Sequence, residues 1–232
     1  MTTRVDVAES SSLLRGTDSR PSAAFPIRPI LAEILGTALL ANVVSMGESA
    51  LHIGLALAAI IFSVGHVSGG HLNPAISLAV FVRGKMKIMD AFYYMLAQIV
   101  GAFLGGLVSV AVRTDKIVAP AVADGVELMT AVSVEALYTM LLCLVVLNVA
   151  TTRAQEKNGF FGLAIGLALT IGASIAGPIS GGALNPALGL ALPVLKDSGL
   201  DSIWIYIVGP LVGSLLAAGA FYLTAKPDEF LA

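Results

Sequence analysis

The charged residues of this chain fall in clusters, and long apolar stretches separate the clusters. A helix needs about 17 to 25 mainly apolar residues to cross the hydrocarbon core of a bilayer. Six stretches meet this requirement, at about residues 27–46, 50–67, 88–112, 127–150, 159–177 and 202–224. The pattern therefore predicts an all-α membrane protein with six transmembrane helices.

An eight-residue phrase occurs twice, once after the second apolar stretch and once after the fifth. Residues 68–75 read Ser-Gly-Gly-His-Leu-Asn-Pro-Ala, and residues 180–187 differ from them at one position only. Asn is a favoured helix N-cap, and Pro suits the first helical position because its missing N–H would have no partner there. Each phrase therefore predicts a loop that leads into a short re-entrant half-helix, starting at Pro74 and at Pro186.

The duplication extends beyond this phrase, because Glu33 and Thr37 in the first span recur as Glu135 and Thr139 in the fourth. With three spans in each copy, the second copy must lie inverted in the membrane. In such a protein, binding or conduction is expected at the interface between the repeats. We predict a channel domain at residues 27–225, with repeats at about 27–112 and 127–224, and short tails at 1–26 and 226–232.

Two carboxylates lie inside predicted spans, where a charge is costly unless it is paired or hydrogen-bonded. Glu33 and Glu135 could carry protons, or each could accept backbone N–H groups from the re-entrant loop of its own repeat. Irregular loops at membrane depth carry amides that need such an acceptor. The duplication of both carboxylates beside duplicated loops favours loop anchoring.

Composition excludes several classes of function. The chain is 57% hydrophobic and 12% charged, with a mean hydropathy of +0.91 and a net charge of -2. This balance argues against a nucleic-acid partner. The single Cys143 has no partner for a disulfide, and the three histidines lack the spacing of a metal site. We expect no metal, no cofactor and no enzymatic activity, because the two intramembrane acids have structural explanations.

The distribution of Lys and Arg predicts the orientation. Of the 13 basic residues, only Arg113, Lys116 and Lys196 fall on the side opposite the termini. The positive-inside rule then places both termini in the cytosol.

The tail before the first span is polar and is expected to be disordered. It contains Glu9 followed by Leu13-Leu14, which fits an acidic dileucine signal for a sorting adaptor or is incidental. A real signal would direct the chain to an endosomal or vacuole-like membrane as well as the plasma membrane.

Two inverted half-helices whose N-termini meet bring two positive dipole ends to one point. That field opposes cations, and the capping Asn73 and Asn185 can donate N–H groups to a passing oxygen. The glycines before them are expected to run extended and to expose carbonyl acceptors. The predicted pore centre is Asn73, Pro74, Ala75, Asn185, Pro186 and Ala187. The predicted pore carbonyls are those of Gly69, Gly70, His71, Gly181, Gly182 and Ala183.

These motifs carry a family resemblance. Both Asn-Pro-Ala triplets, Ser63-Val-Gly-His66 before the first phrase, and Val208-Gly-Pro210 in the last span fit one pattern. From residue 29 onwards the chain resembles the aquaporin and aquaglyceroporin, or major intrinsic protein, family. The resemblance implies six tilted helices with two half-helices, a pore in each subunit, and a homotetramer.

The family's outer constriction maps onto Ile53, Ala173, Gly182 and Leu188. The sequence departs from the family pattern here, because an Arg usually stands where Leu188 does. Small uncharged residues should widen the opening for glycerol or urea. A constriction surrounded by aliphatic side chains also offers passing water no hydrogen-bond partners, which should slow the flow of water. Glycerol channels of the family usually carry Asp at the position of Gly189, so this position argues against a glycerol channel. The residues that bear on the substrate therefore disagree.

The leading hypothesis is a passive channel for water and small uncharged solutes in the lipid bilayer. The alternative is a channel mainly for glycerol, urea, ammonia or hydrogen peroxide. A membrane scaffold or adhesion protein is less favoured, because the loop after the first span is short. The resemblance also favours His66 as a pore-lining or gating residue on the cytosolic side, with a plain packing role as the alternative. His71 is expected to lend its carbonyl to the pore while its ring ties down the loop.

Overall fold

A computed structural model describes residues 27–113 and 117–230. The chain order of helices is α1 (Ile27–Ser45), α2 (Ala50–Ser68), α3 (Pro74–Val82), α4 (Ile88–Arg113), α5 (Leu128–Thr151), α6 (Phe161–Ser180), α7 (Pro186–Lys196) and α8 (Ile203–Thr224). Within these two ranges, 3-10 turns lie at Arg153–Gln155, Leu200–Ser202 and Pro227–Phe230. Within the described ranges no residue is in a strand.

The six long helices confirm the six predicted spans, and each is long and apolar enough to cross a membrane. Predicted and observed ends differ by three residues or fewer. The largest difference is at the end of α6, which continues past Pro178 to Ser180. Pro178 is tolerated near the helix end, and the chain leaves the helix through Gly181 in a left-handed conformation. The two short helices confirm the predicted half-helices.

The helices pack as two related sets, with α1 against α4 and α5 against α8, while α2 and α6 pair across the sets. Glycine permits the closest approaches. A Cβ atom on Gly105 of α4 would collide with the carbonyl oxygen of Ala38, and one on Gly213 of α8 would collide with that of Ala136. Small residues at such contacts let helix backbones approach closely in lipid. The duplicated close contacts agree with an inverted repeat.

The loops divide between two faces of the molecule. Tyr222 at the end of α8 donates to the Val82 carbonyl at 2.9 Å, so the end of α8 lies beside the end of α3. We call this side the terminal face. On the opposite face, the Val118 N–H donates to the Ser45 carbonyl at 2.8 Å. Large apolar side chains such as Leu35, 55% exposed, cover the surface between these faces, as a lipid-facing belt requires.

The chain after α8 is attached to the terminal face. The Glu229 carboxylate accepts the N–H groups of Arg153 at 2.7 Å and Ala154 at 3.1 Å. Arg83 donates to the Glu229 carbonyl at 2.7 Å, and its guanidinium lies 4.7 Å from the centre of the Phe221 ring. The last described residues therefore connect the loop after α3 to the loop between α5 and α6.

Candidate functional site

Each re-entrant phrase forms the predicted N-cap. The Asn73 side-chain oxygen accepts the N–H of Ala75 at 2.9 Å, and that of Asn185 accepts the N–H of Ala187 at 3.0 Å. Pro74 and Pro186, each next to its cap, occupy the first helical positions. Local sequence therefore determines where both half-helices begin.

The two caps also hold the two repeats together. The Asn73 amide donates to the Leu184 carbonyl at 2.8 Å, and the Asn185 amide donates to the Leu72 carbonyl at 2.9 Å. A side-chain amide has two N–H hydrogens. One hydrogen of each Asn is therefore used across the repeat interface, and one remains for another acceptor. The half-helix N-termini meet here, which brings their two positive dipole ends together.

The prediction that the glycines run extended is wrong. Gly69 and Gly70 have φ of 89° and 63°, and Gly181 and Gly182 have φ of 92° and 61°, all in the left-handed region. The first glycine of each pair ends the preceding helix as its C-cap. The loops therefore turn sharply away from α2 and α6, and their carbonyls point in changing directions.

Sequence reasoning missed two leucines in the same loops. Leu72 and Leu184 have φ of 54° and 47°, a region that non-glycine residues rarely adopt. Both are fully buried, and both carbonyls accept from the opposite asparagine. The left-handed turn presents each carbonyl to the other repeat. No local sequence signal marks a leucine for this conformation, because the surrounding contacts impose it.

The duplicated carboxylates contact the loops of their own repeats. Glu135 accepts from the Ala183 N–H at 3.0 Å, the Leu184 N–H at 2.7 Å and the Ser180 hydroxyl at 2.7 Å. Glu33 makes the same three contacts with His71, Leu72 and Ser68, at 3.0, 2.6 and 2.6 Å. Both side chains are fully buried. These are the hydrogen bonds that loop anchoring requires.

The first repeat has a polar network that the second lacks. Gln98 of α4 donates to Glu33 at 2.8 Å and to Ser77 at 2.9 Å, and Ser77 lies 3.1 Å from Nδ1 of His71. The His71 ring also packs edge-on against Tyr94. The ring thus ties the first loop to α3 and α4. In the second phrase Ala183 occupies the place of His71, so no ring is available there.

A narrow cavity of about 270 Å³ reaches from the opposite face to both asparagines. The four residues predicted for the outer constriction all line it: Ile53, Ala173, Gly182 and Leu188. His71, Gly181 and Ala183, predicted to offer carbonyls, line it as well. This volume is large enough for a row of several water molecules.

A wide cavity of about 930 Å³ lies on the terminal face, bordered by the loop between α5 and α6. Gly69 lines it, and His71 lines both cavities, whereas Gly70 is buried and lines neither. His66, expected at the pore, is exposed and is absent from the lining of both cavities. Gly65 of α2 and Gly69, which caps this helix, line the wide cavity instead, so His71 and not His66 is among the cavity-lining residues.

Few other reactive or metal-binding side chains lie in the described part of the chain. Within residues 27–113 and 117–230 no group of three or more His, Cys, Asp or Glu side chains could hold a metal ion. Cys143 is fully buried. The candidate sorting signal at Glu9, Leu13 and Leu14 lies outside the described residues. The narrow cavity is therefore lined mainly by backbone and apolar side chains, with Asn73, Asn185, His71 and Glu48 as its polar side chains, whereas charged and polar side chains line the wide cavity.

Comparisons with known proteins agree with this geometry. The family model described as Major intrinsic protein matches residues 21–222. Aquaporin A from Dictyostelium discoideum is 36% identical over 90% of this chain and 82% of its own length. Glycerol uptake facilitator protein-like 6 from Lactiplantibacillus plantarum is 36% identical over 83% of this chain and 95% of its own length.

The fold has a solved counterpart in the X-ray structure of the aquaglyceroporin from Plasmodium falciparum. That structure has a TM-score of 0.76 and 26% identity, and the match covers 90% of this chain and 100% of that one. The inverted repeats, the paired half-helices and these matches agree with one another. The chain therefore belongs to the major intrinsic protein family of passive water and small-solute channels.

Proposed function

We propose that water and small neutral solutes cross this protein in single file, from the narrow cavity past Asn73 and Asn185 into the wide cavity. The observation that carries the proposal is the reciprocal pair of asparagine hydrogen bonds. Each bond fixes one amide against the opposite repeat and leaves one N–H of that amide for a passing oxygen. Two fixed donors at one point suit a molecule that can accept hydrogen bonds.

The same point excludes cations. Each half-helix places about half a positive elementary charge at its N-terminus. The carboxylates of Glu33 and Glu135 are bound to the backbone N–H groups of the re-entrant loops, and neither lines the narrow cavity. A cation, hydronium included, would be repelled by the two positive helix ends that it meets here, whereas a neutral molecule would not.

The constriction on the path is formed by Ile53, Ala173, Gly182 and Leu188. None of these side chains has a charge or a hydrogen-bonding group, and Leu188 stands where the family usually has Arg. Two of the four are as small as Ala or Gly, which favours passage of glycerol and urea as well as water. A glycerol or urea channel is therefore the second candidate.

The proposed orientation follows the charge distribution. Both termini and the wide cavity would face the cytosol, and the narrow cavity would open to the exterior or to an organelle lumen. We further propose a homotetramer with one pore in each subunit, in the plasma membrane or an endosomal or vacuole-like membrane. Glu9, Leu13 and Leu14 would bind the sorting adaptor.

Stopped-flow light scattering on proteoliposomes tests the function. Vesicles with protein should shrink faster in sucrose than protein-free vesicles, and re-swelling in glycerol or urea gives the solute permeability. A pH-sensitive dye trapped in the same vesicles should show no proton flux above the protein-free rate. Water permeability equal to that of protein-free vesicles would contradict the proposal.

A further inference from the structure

The wide cavity is electropositive. Among the described residues that line it, three have cationic side chains, Lys85, Arg153 and Lys157, and one has an anionic side chain, Glu156. Lys85 comes from the turn after α3, and the other two cations come from the loop between α5 and α6. α6 also begins in this wall, at Phe161, which brings a positive helix end to the same space. Two excess positive charges around a concave surface raise the local concentration of anions.

The loop between α5 and α6 is already folded without a ligand. The Asn158 amide donates to the Val149 carbonyl at 2.7 Å, and the Glu229 carboxylate accepts the N–H of Arg153 at 2.7 Å. Lys157 has φ of 64°, a left-handed conformation that a non-glycine residue keeps only where its surroundings hold it. A ligand that binds here does not have to order this loop, which removes one of the usual costs of binding.

The neutral part of the lining suits a small molecule with hydroxyl groups. A volume of about 930 Å³ lies within the range of small-molecule sites and far exceeds that of inorganic phosphate. The Thr152 hydroxyl donates to the Asn148 carbonyl at 2.6 Å, so its oxygen can still accept from a ligand. Gln155 adds an amide, which has both donors and an acceptor. The cavity thus combines cations with neutral hydrogen-bonding groups.

We propose that the wide cavity binds a small phosphate monoester that has hydroxyl groups, such as a polyol phosphate, and that the bound molecule obstructs the path. A phosphate monoester has a charge of about −1.5 to −2 at pH 7, which matches the two excess positive charges. The Arg153 guanidinium can bind two phosphate oxygens at once. His71 lines both cavities, so a ligand in the wide cavity stands between the terminal face and His71. Binding is independent of the proposed function, whereas obstruction rests on it.

The first experiment measures binding to the full chain in detergent by calorimetry. Glycerol 3-phosphate is the probe, and glycerol and inorganic phosphate represent its two parts. We expect saturable binding of the probe in the micromolar to millimolar range that is typical of metabolite sites. Inorganic phosphate should bind more weakly, and excess glycerol should not displace the probe. A salt concentration of about 0.15 M screens charges more than about 8 Å from the ligand.

Arg153→Gln and Lys157→Gln each remove one cation from the lining. Each substitution should weaken probe binding by about fivefold. Lys87→Gln is the matched control, because Lys87 is exposed only two residues from Lys85 and does not line the cavity. It should weaken binding by less than about twofold. A variant is accepted as folded when it gives a monodisperse peak.

The second experiment measures the water permeability of proteoliposomes with the probe at equal concentration on both sides and without it. Saturating probe should remove most of the permeability above the protein-free rate. Half of this effect should need about fivefold more probe in Arg153→Gln and Lys157→Gln than in wild type. Probe on the outside alone should act only on channels whose terminal face points outwards. Vesicles that contain a phosphorylated inositol lipid test a lipid headgroup as the source of the phosphate.

The outcomes separate the parts of the proposal. Absence of saturable probe binding would refute the site, and so would equal weakening by Lys87→Gln, because it would show only attraction to a basic surface. Inorganic phosphate that binds as tightly as the probe would refute a role for the hydroxylated part. Water permeability that falls only in vesicles with the inositol lipid would refute a soluble ligand. Binding without loss of water permeability, in vesicles that conduct water, would refute obstruction. Vesicles that conduct no water would refute the proposed function and leave the binding site intact.

Discussion

Glu135→Gln tests whether this carboxylate holds the second re-entrant loop in place. The carboxylate accepts three hydrogen bonds, two at one oxygen and one, from the Leu184 N–H at 2.7 Å, at the other. An amide has only one acceptor oxygen, so its NH₂ group would face the Leu184 N–H donor to donor. The Leu184 carbonyl also accepts from Asn73, and the disturbance should therefore reach the pore centre.

The magnitude follows from these contacts. An unpaired buried N–H costs about 1–3 kcal/mol, and the two remaining bonds lose their charge-assisted strength, which adds about 1 kcal/mol. The total loss of stability is about 2–4 kcal/mol. Wild type and variant would be heated in detergent at one fixed scan rate and followed by loss of the monodisperse peak. Water permeability per reconstituted channel would be measured in parallel.

The matched control is Glu127→Gln, at the start of the same helix. Glu127 is the N-cap of α5 but its side chain makes no capping hydrogen bond. The Glu127→Gln substitution should change neither the heat resistance of the protein nor its water permeability. If Glu135→Gln behaves like Glu127→Gln in both assays, loop anchoring by Glu135 is refuted.

The remaining predictions concern three other positions. Leu188→Arg, at a site that is 2% exposed, should reduce glycerol flux more than water flux, by about tenfold in the ratio; an unchanged ratio would remove Leu188 from the constriction. Mercuric chloride should inhibit water flux only weakly, because Cys143 is fully buried; strong inhibition that Cys143→Ser abolishes would contradict this placement. The N–H groups of Arg153 and Ala154 hold the pKa of Glu229 below its usual range, with the Arg153 bond as the largest cause. Because a lowered pKa favours the ionised folded form, this attachment is present above the ordinary Glu pKa and is lost as pH falls through the lowered one. The hydrogen-exchange rates of these two amides, corrected for intrinsic rates, should therefore rise in acid for wild type. In Glu229→Gln exchange should be fast at all pH values, with Asp228→Asn as the control. Protection that does not depend on pH in wild type would refute the contact.

Sequence patterns predicted the helices well because the signals are local. Apolar length gave the ends of the six long helices to within three residues. Each Asn-Pro pair combines a capping Asn with a Pro whose φ suits a helix. These pairs located the starts of the half-helices at Pro74 and Pro186 without any tertiary information. The recurrence of Glu33 as Glu135 indicated the duplication, and the odd number of spans in each copy indicated that the second repeat is inverted.

Prediction failed where the direction of a side chain or carbonyl depends on packing. His66 precedes the first phrase and His71 lies within it, yet only His71 lines the cavities, because the rotation of α2 turns His66 outwards. The glycines were expected to be extended, but their left-handed φ is needed to end α2 and α6 and to turn the chain. Ser77 and Gln98 were missed because their network forms only when α3 packs on α4.

The sequence by itself determined the number of spans, the two half-helices, the inverted duplication and the absence of an Arg after the second Asn-Pro-Ala. These properties depend on composition and on neighbours within a few residues. Only the tertiary structure decided which carbonyl each asparagine binds and which aliphatic side chains of four helices meet in one cavity. Those choices are made by helix rotation and by contacts between residues more than 100 positions apart, which a local pattern does not encode.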